Sequence, residues 1–203
     1  MKKRILLHAC CAVCTAGVYE QLKNDFEINL FCYNPNIAPK TEHDRRLNEL
    51  LNYCDKIGVE VIIGDYSWQE EHDFWLRLIK GKEAEPEKGL PAEFGYKWQA
   101  GKRCQICYKM RLEATAAVAT EINKHHKNEF DYFAAELSIS PHKDAEKMNQ
   151  IGQKLAKKYG IKYLDSDFKK NDGFKIASEI SKSSNLYRQN YCGCEFSFRK
   201  NSI

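Results

Sequence analysis

Long apolar runs are missing from this chain of 203 residues, and no stretch comes near the ~20 apolar residues that a membrane-spanning helix needs. The start, Met1-Lys2-Lys3-Arg4-Ile5-Leu6-Leu7-His8, places basic residues before apolar ones, but His8 ends the run after three, too few for the apolar core of a secretory signal. A cytoplasmic protein with no membrane partner is therefore expected. Proline is scarce, at five, and there is no internal repeat, no low-complexity tract and no linker rich in glycine and serine. One domain over residues 1–203 follows from that continuity.

Cysteine is the residue present in excess. There are nine, and an odd count in a chain with a large core and no export signal argues against a disulfide scaffold. Seven fall in three clusters: Cys10-Cys11-Ala12-Val13-Cys14, Cys104-Gln105-Ile106-Cys107 and Cys192-Gly193-Cys194. Cys32 and Cys54 stand alone at periodic positions of a strand and a helix, where a free thiol behaves as a small hydrophobe.

Charge is uneven. Residues 143–200 carry thirteen Lys and Arg against seven Asp and Glu, +6, so the first 142 residues sum to −2. The basic third also holds Tyr159, Tyr163, Phe168, Phe174, Tyr187, Tyr191, Phe196 and Phe198, a mixture that suits RNA and equally suits a solvated lysine-rich face.

Periodicity gives alternating strands and helices. Arg4–Leu7 is a short buried strand, Ala12–Lys23 a helix, Ile28–Tyr33 a strand ended by Asn34-Pro35-Asn36, and residues 47–57 a helix stopped by Gly58. Val59–Ile63 is a third strand, and Trp68, Trp75, Leu78 and Ile79 share one helical face. Residues 81–101 form a long loop or lid. Cys104-x-x-Cys107 opens a helix to about Lys124, Asp131–Ala135 is a strand, Ser140-Pro141 starts a helix through Tyr159, and Tyr163-Leu164 is a last short strand. Such alternation implies an α/β, Rossmann-like, three-layer fold with a parallel sheet, whose ligands sit at the carboxyl ends of the strands. Cys10 and Cys11 lie at that end of the first strand.

Two thiols at i and i+3 on a helix start can aim at one centre, and the helix dipole favours their thiolate forms. Zinc, iron–sulfur and dithiol sites all use that spacing. Adjacent Cys10 and Cys11 chelate one tetrahedral ion awkwardly, whereas an iron–sulfur cube offers different irons to neighbouring sulfurs. Cys10, Cys11, Cys104 and Cys107 are thus candidate ligands of one 4Fe-4S cluster, with a structural zinc site as the competing reading. A Cys-x-Cys disulfide closes a very small, strained and easily reduced ring, so Cys192 and Cys194 form a candidate redox pair; ligation by these two with Cys14 is the alternative. His8 either tunes the site or is a satisfied core histidine, and His125-His126 lie in a polar, solvated stretch.

Several motifs in order carry a resemblance: Leu6-Leu7-His8-Ala9-Cys10-Cys11-Ala12-Val13-Cys14, Tyr33-Asn34-Pro35-Asn36-Ile37, Cys104-x-x-Cys107-x-x-x-Arg111-Leu112, Ser138-Ile139-Ser140-Pro141-His142-Lys143, Asp167-Phe168-Lys169-Lys170 and Leu186-Tyr187-Arg188-Gln189-Asn190-Tyr191-Cys192-Gly193-Cys194. Together they resemble the cobalamin-independent QueH family of epoxyqueuosine reductases from about residue 4 to 198. The resemblance implies a fold similar to the adenine nucleotide alpha hydrolases and reduction of epoxyqueuosine to queuosine at the tRNA wobble position. It also implies a 4Fe-4S cluster on Cys10, Cys11, Cys104 and Cys107, a redox disulfide at Cys192 and Cys194, and an external electron donor. Cys14 either anchors a second, mononuclear iron or only faces the site. Tyr33, Asn34, Asn36, Tyr187 and Arg188 are candidate substrate contacts, Lys169 and Lys170 candidate phosphate contacts, and segment 165–203 is expected to close over the site. Ala134-Ala135-Glu136 and Ala12-Val13 depart from the family's usual threonines and Ala-Pro. Two further functions suit the scaffold. An ATP-dependent tRNA sulfurtransferase would need a glycine- and serine-rich phosphate loop where Cys10–Cys14 stand; a zinc-stabilised RNA-binding module would bind without turnover.

Overall fold

A computed structural model describes residues 2–82, 101–126 and 129–197. Five strands form one sheet: β1 Lys3–Ala9, β2 Phe26–Cys32, β3 Val61–Ile63, β4 Tyr132–Ala135 and β5 Lys162–Tyr163. Their order is β3-β2-β1-β4-β5 and every pairing is parallel. The central strand reads as an unbroken apolar run because both its faces are covered. Leu6 packs with Phe133, Leu112 and Met148 on one side, while Ile5, Leu7 and Ala9 pack with Val18, Leu30 and Leu50 on the other. Ile5, Leu6 and Leu7 are each 0% exposed, so the strand contributes roughly 1.5–3 kcal/mol of apolar burial per side chain.

Among the described residues six α-helices cover the sheet: α1 Ala12–Leu22, α2 Lys40–Ile57, α3 Trp68–Ile79, α4 Lys102–His125, α5 Ala145–Tyr159 and α6 Gly173–Ser183. α1 packs against α2 and α6, and α4 against α5 and α3. The α1–α6 contact is close: a Cβ on Gly17 would come within 2.6 Å of the Ala177 Cβ, so only glycine admits that approach. Gly58 and Gly160 end α2 and α5 in the left-handed conformation, as their places in the sequence indicate.

Three elements differ from expectation. α5 begins at Ala145, not at Ser140-Pro141, because the Asp144 carboxylate caps it by accepting from the Lys147 amide at 2.9 Å. Glu136–Ile139 forms a 3-10 turn after β4, and α6 occupies a stretch read without regular structure. The candidate lid lies outside the described residues except for 81, 82 and 101. No described helix is long and apolar enough to cross a membrane.

β1 leads to α1 on one face and β4 leads towards α5 on the other, so strand order reverses between β1 and β4. A crevice opens at the carboxyl ends of two strands whose connections diverge in this way. Cys10 and Cys11 follow β1 at that position, and Glu136 follows β4.

Candidate functional site

Cys11 is the extended residue before α1, and Cys14 lies within the first helical turn. That turn brings three sulfurs together: Cys10 to Cys14 at 3.7 Å, Cys10 to Cys11 at 3.8 Å and Cys11 to Cys14 at 2.9 Å. Among the described residues these three form the one group of metal-ligating side chains whose donor atoms all lie within 4.8 Å of each other. The Cys10 thiol is held well below its usual range, first because the other two thiols donate to its charged form and further because Lys143 and Arg111 are near. Cys11 is pushed up to about 12 and Cys14 well upward by the same partnership.

Cys104 and Cys107 sit one helical turn apart at the start of α4 and stand outside that triad. Cys104 packs in the same buried cluster as Cys10 and Cys11. Cys104, Cys107, Cys192 and Cys194 line one cavity with Asn36, Trp75, Arg103, Tyr108 and Lys143. Burial pushes the Cys104 thiol up to about 12 and the Cys194 thiol up to about 11. Cys192 and Cys194 are free thiols, as are all nine cysteines. Cys32 and Cys54 are 4% and 1% exposed in the apolar core, the place expected for them.

Two cations join the sulfur groups. Arg111, one further turn along α4, is 1% exposed and lies within electrostatic reach of Cys107, Cys10, Cys192 and Cys194. Lys143 faces Cys192, Cys10 and Cys14 in the same way. A buried guanidinium is costly unless it is paired and hydrogen-bonded. Arg111 donates Nε and Nη2 to the Asn36 Oδ1, the former at 3.0 Å, and Cys10, the thiol held towards its charged form, lies within its electrostatic reach. Sulfur donors around buried cations therefore suit a metal group bound as thiolate complex, whose net negative charge those cations offset.

The Cys-Gly-Cys turn is held from α2. Arg46, 2% exposed, donates Nη1 to the Cys192 carbonyl at 3.1 Å and Nη2 to the Tyr191 carbonyl at 3.2 Å, while its Nε donates to Glu42 at 2.7 Å. The Ala38 amide donates to the Gly193 carbonyl at 2.9 Å. Gln189 donates its amide to the Cys11 sulfur at 3.1 Å, which seats the C-terminal segment on the first cluster.

The candidate substrate contacts are spread around this core. Asn36 lines the cavity. Asn34, 2% exposed, donates to the Ala9 carbonyl at 2.8 Å and so pins the ends of β1 and β2 together. Tyr33 is half-buried and donates its hydroxyl to Glu71 at 2.6 Å. Tyr187 donates to Glu42 and lies beneath the Arg45 guanidinium, 3.5 Å from the ring centroid; Arg188 is exposed. Lys169 is paired with Asp167, and Lys170 reaches the same carboxylate at 3.8 Å. His8 is 0% exposed and donates Nε2 to the Tyr33 carbonyl at 2.9 Å; burial lowers its pKa to about 3, so the ring is neutral. His125 is 71% exposed. Sequence reasoning gave Arg46 no place in the site, and Lys143 and Arg111 entered only inside motifs. The i, i+3, i+7 spacing of Cys104, Cys107 and Arg111 was the available signal for the last.

Residues 5–200 match the family described as Epoxyqueuosine reductase QueH. The chain belongs to that family. Proteins named Epoxyqueuosine reductase QueH are 34% identical in Streptococcus pyogenes serotype M1, over 100% of this chain and 73% of that one, and 35% identical in Staphylococcus epidermidis, over 100% and 79%. In Acinetobacter baylyi the identity is 37%, over 97% of this chain and 81% of that one. The relatives' name describes an oxidoreductase. Among solved structures, the U34-tRNA thiolase NcsA from Methanococcus maripaludis aligns with 99% of this chain and 60% of its own at 12% identity and a TM-score of 0.44, too loose a likeness to argue from.

Proposed function

We propose that this protein reduces epoxyqueuosine to queuosine in tRNA, using a 4Fe-4S cluster held by Cys10, Cys11, Cys104 and Cys107 and the dithiol of Cys192 and Cys194. The observation that carries the reading is the gathering of seven cysteines from three distant parts of the chain around Arg111 and Lys143, at the crevice where strand order reverses. A bound cluster of this kind supplies single electrons and a Lewis-acidic iron. The close approach of Cys14 to Cys11, 2.9 Å, supports Cys14 as the anchor of a second, mononuclear iron.

Removing the epoxide oxygen as water consumes two electrons and two protons. The dithiol can release both on becoming a disulfide, and an external donor returns them. Gly193 lets the backbone turn tightly between the two sulfurs at φ +124°, a conformation that other residues rarely adopt. The single catalytic unit spans the chain, with the segment from residue 165 closing over the site; the bond from Gln189 to Cys11 supports that arrangement. Tyr33, Asn34 and Asn36 border the nucleoside, Arg188 contacts phosphate, and an unstacked base rests near Tyr187 and Arg45. The setting is the cytoplasm, where tRNA is modified.

The sulfurtransferase reading loses its ground, since Cys10–Cys14 occupy the turn where a phosphate loop would lie and the relatives are named as reductases. The test is anaerobic incubation with epoxyqueuosine-containing tRNA and dithionite, followed by nucleoside mass analysis and an iron and acid-labile sulfide assay. Loss of one oxygen from the modified base, with about four sulfides and five irons per chain, four irons for the 4Fe-4S cluster and one for the mononuclear site, is the expected result. Stoichiometric zinc without sulfide, or unchanged nucleoside with the cluster intact, overturns the reading.

A further inference from the structure

An oxygen leaving carbon gathers negative charge, and in a buried site that charge needs a donor already in place. Two groups at the cysteine-lined cavity, Lys143 and Asn36, keep hydrogen-bond donors that no described residue takes up. Lys143 sits on the turn after the 3-10 segment, fixed through its backbone: its amide donates to the Ser140 carbonyl at 3.2 Å, and its carbonyl accepts from Lys169 at 3.4 Å. Its ammonium lines the cavity beside Cys192 and, among the described residues, makes no hydrogen bond or ion pair. The side chain is half-buried, and neither a carboxylate nor a carbonyl among the described residues holds its ammonium.

Asn36 is the second group. A guanidinium has only donors, so the bonds from Arg111 fix the Asn36 amide with its oxygen towards Arg111 and its NH2 turned away. That Nδ2 is buried, lacks a partner among the described residues, and belongs to a side chain 1% exposed that borders the cavity. A lysine and an asparagine with an oriented, unpartnered amide, bordering one small cavity, offer the charge and the donor that an oxygen becoming anionic needs.

We propose that Lys143 and Asn36 together bind the oxygen atom that the substrate loses, Lys143 supplying the charge and Asn36 the oriented donor. This deepens the proposed reduction and rests on it. In the step assigned to the pair, both carbon–oxygen bonds of the epoxide break and the two carbons form a double bond. The Cys192 and Cys194 thiols give up two electrons and two protons and become a disulfide, and the oxygen departs as water. Lys143 ends the step protonated, as it began.

The test compares anaerobically purified wild type with Lys143→Gln, Lys143→Met and Lys143→Arg. Without reductant, the affinity for tRNA carrying epoxyqueuosine is measured against tRNA carrying queuosine, which differs by the oxygen alone. Wild type should favour the epoxide form, the Gln and Met variants should bind both forms equally, and Arg should keep part of the preference. Single-turnover deoxygenation by Lys143→Gln should fall on the order of a hundredfold, the loss typical of a removed oxyanion donor, with iron content and affinity for tRNA carrying queuosine unchanged. Asn36→Asp, which keeps the Arg111 contact and removes the donor, should show the same split. A Gln variant that keeps its preference for the epoxide form overturns the proposal. So does loss of iron from the Gln and Met variants with recovery in Arg, which would make Lys143 a counter-ion of the thiolates. Failure of the dithiol reading looks different: Cys192→Ser would still turn over while Lys143→Gln does not.

Discussion

Arg46 on α2 donates to the carbonyl oxygen of Cys192, 146 residues further along the chain, and so a helix on one side of the sheet fixes the backbone of the Cys-Gly-Cys turn. The same guanidinium reaches Tyr191 and Glu42, which makes it a clamp with three partners. It acts on the turn's position and needs no contact with substrate.

Replacing Arg46 by Ala removes a donor from the Cys192 and Tyr191 carbonyls and the cation from a carboxylate that is only 11% exposed, which keeps the Tyr187 hydroxyl alone. The expected cost is about 3 kcal/mol, in the range for breaking a buried pair from one side. Urea unfolding measures it, and iodoacetamide should label Cys192 and Cys194 faster than in wild type. Unchanged labelling with lower stability would mean that the clamp does not hold the thiols.

Gly193→Ala places a Cβ at φ +124°, about 3.0 Å from both Arg46 Nη1 and Ile37 Cγ1. Strain of that kind costs of order 1–3 kcal/mol. Turnover should fall at least tenfold, by shifting the two thiols, while far-ultraviolet circular dichroism stays that of wild type. Wild-type turnover would show that the turn tolerates the change.

Glu136 is 0% exposed, accepts from the Thr15 hydroxyl at 2.9 Å, and has its pKa pushed well above the carboxylate range, first by burial and then by the nearby Cys10 charge. The folded state keeps its proton where the unfolded chain, near 4.5, has lost it. This group's contribution is therefore fully present below about pH 4.5 and declines as pH rises towards the folded pKa. Glu136→Gln, which stays neutral, should gain stability over wild type, and the gain should be larger at pH 8 than at pH 5 in urea unfolding. A difference independent of pH would mean that the folded carboxyl ionises normally.

The strands and most helices were legible because their apolar residues obey simple periods. α6 was not, since the residues it buries are Gly173, Ala177 and Ser181, small side chains that seat it against Gly17, while its larger apolar residues are only partly buried, Ile176 and Ile180, or exposed, Phe174. The start of α5 was misplaced because Ser140-Pro141 has the chemistry of a cap, and Asp144, three residues on, has it too and makes the bond. The cysteines announced the site, whereas Arg46, Arg111 and Lys143 did not. Charged residues belong at the surface by default, and only folding reveals that three of them turn inwards to meet thiols.

The hydrogen bond between Gln189 and Cys11 spans 178 residues. During synthesis the first cysteines leave the ribosome long before their cover exists, and contacts this remote in sequence close late. Until then three neighbouring thiols are open to oxidants and to stray metal ions. Loading of the proper metal group, or delivery of the chain to whatever loads it, is thus a race against capture of the wrong ion, which the seating of the closing segment brings to an end.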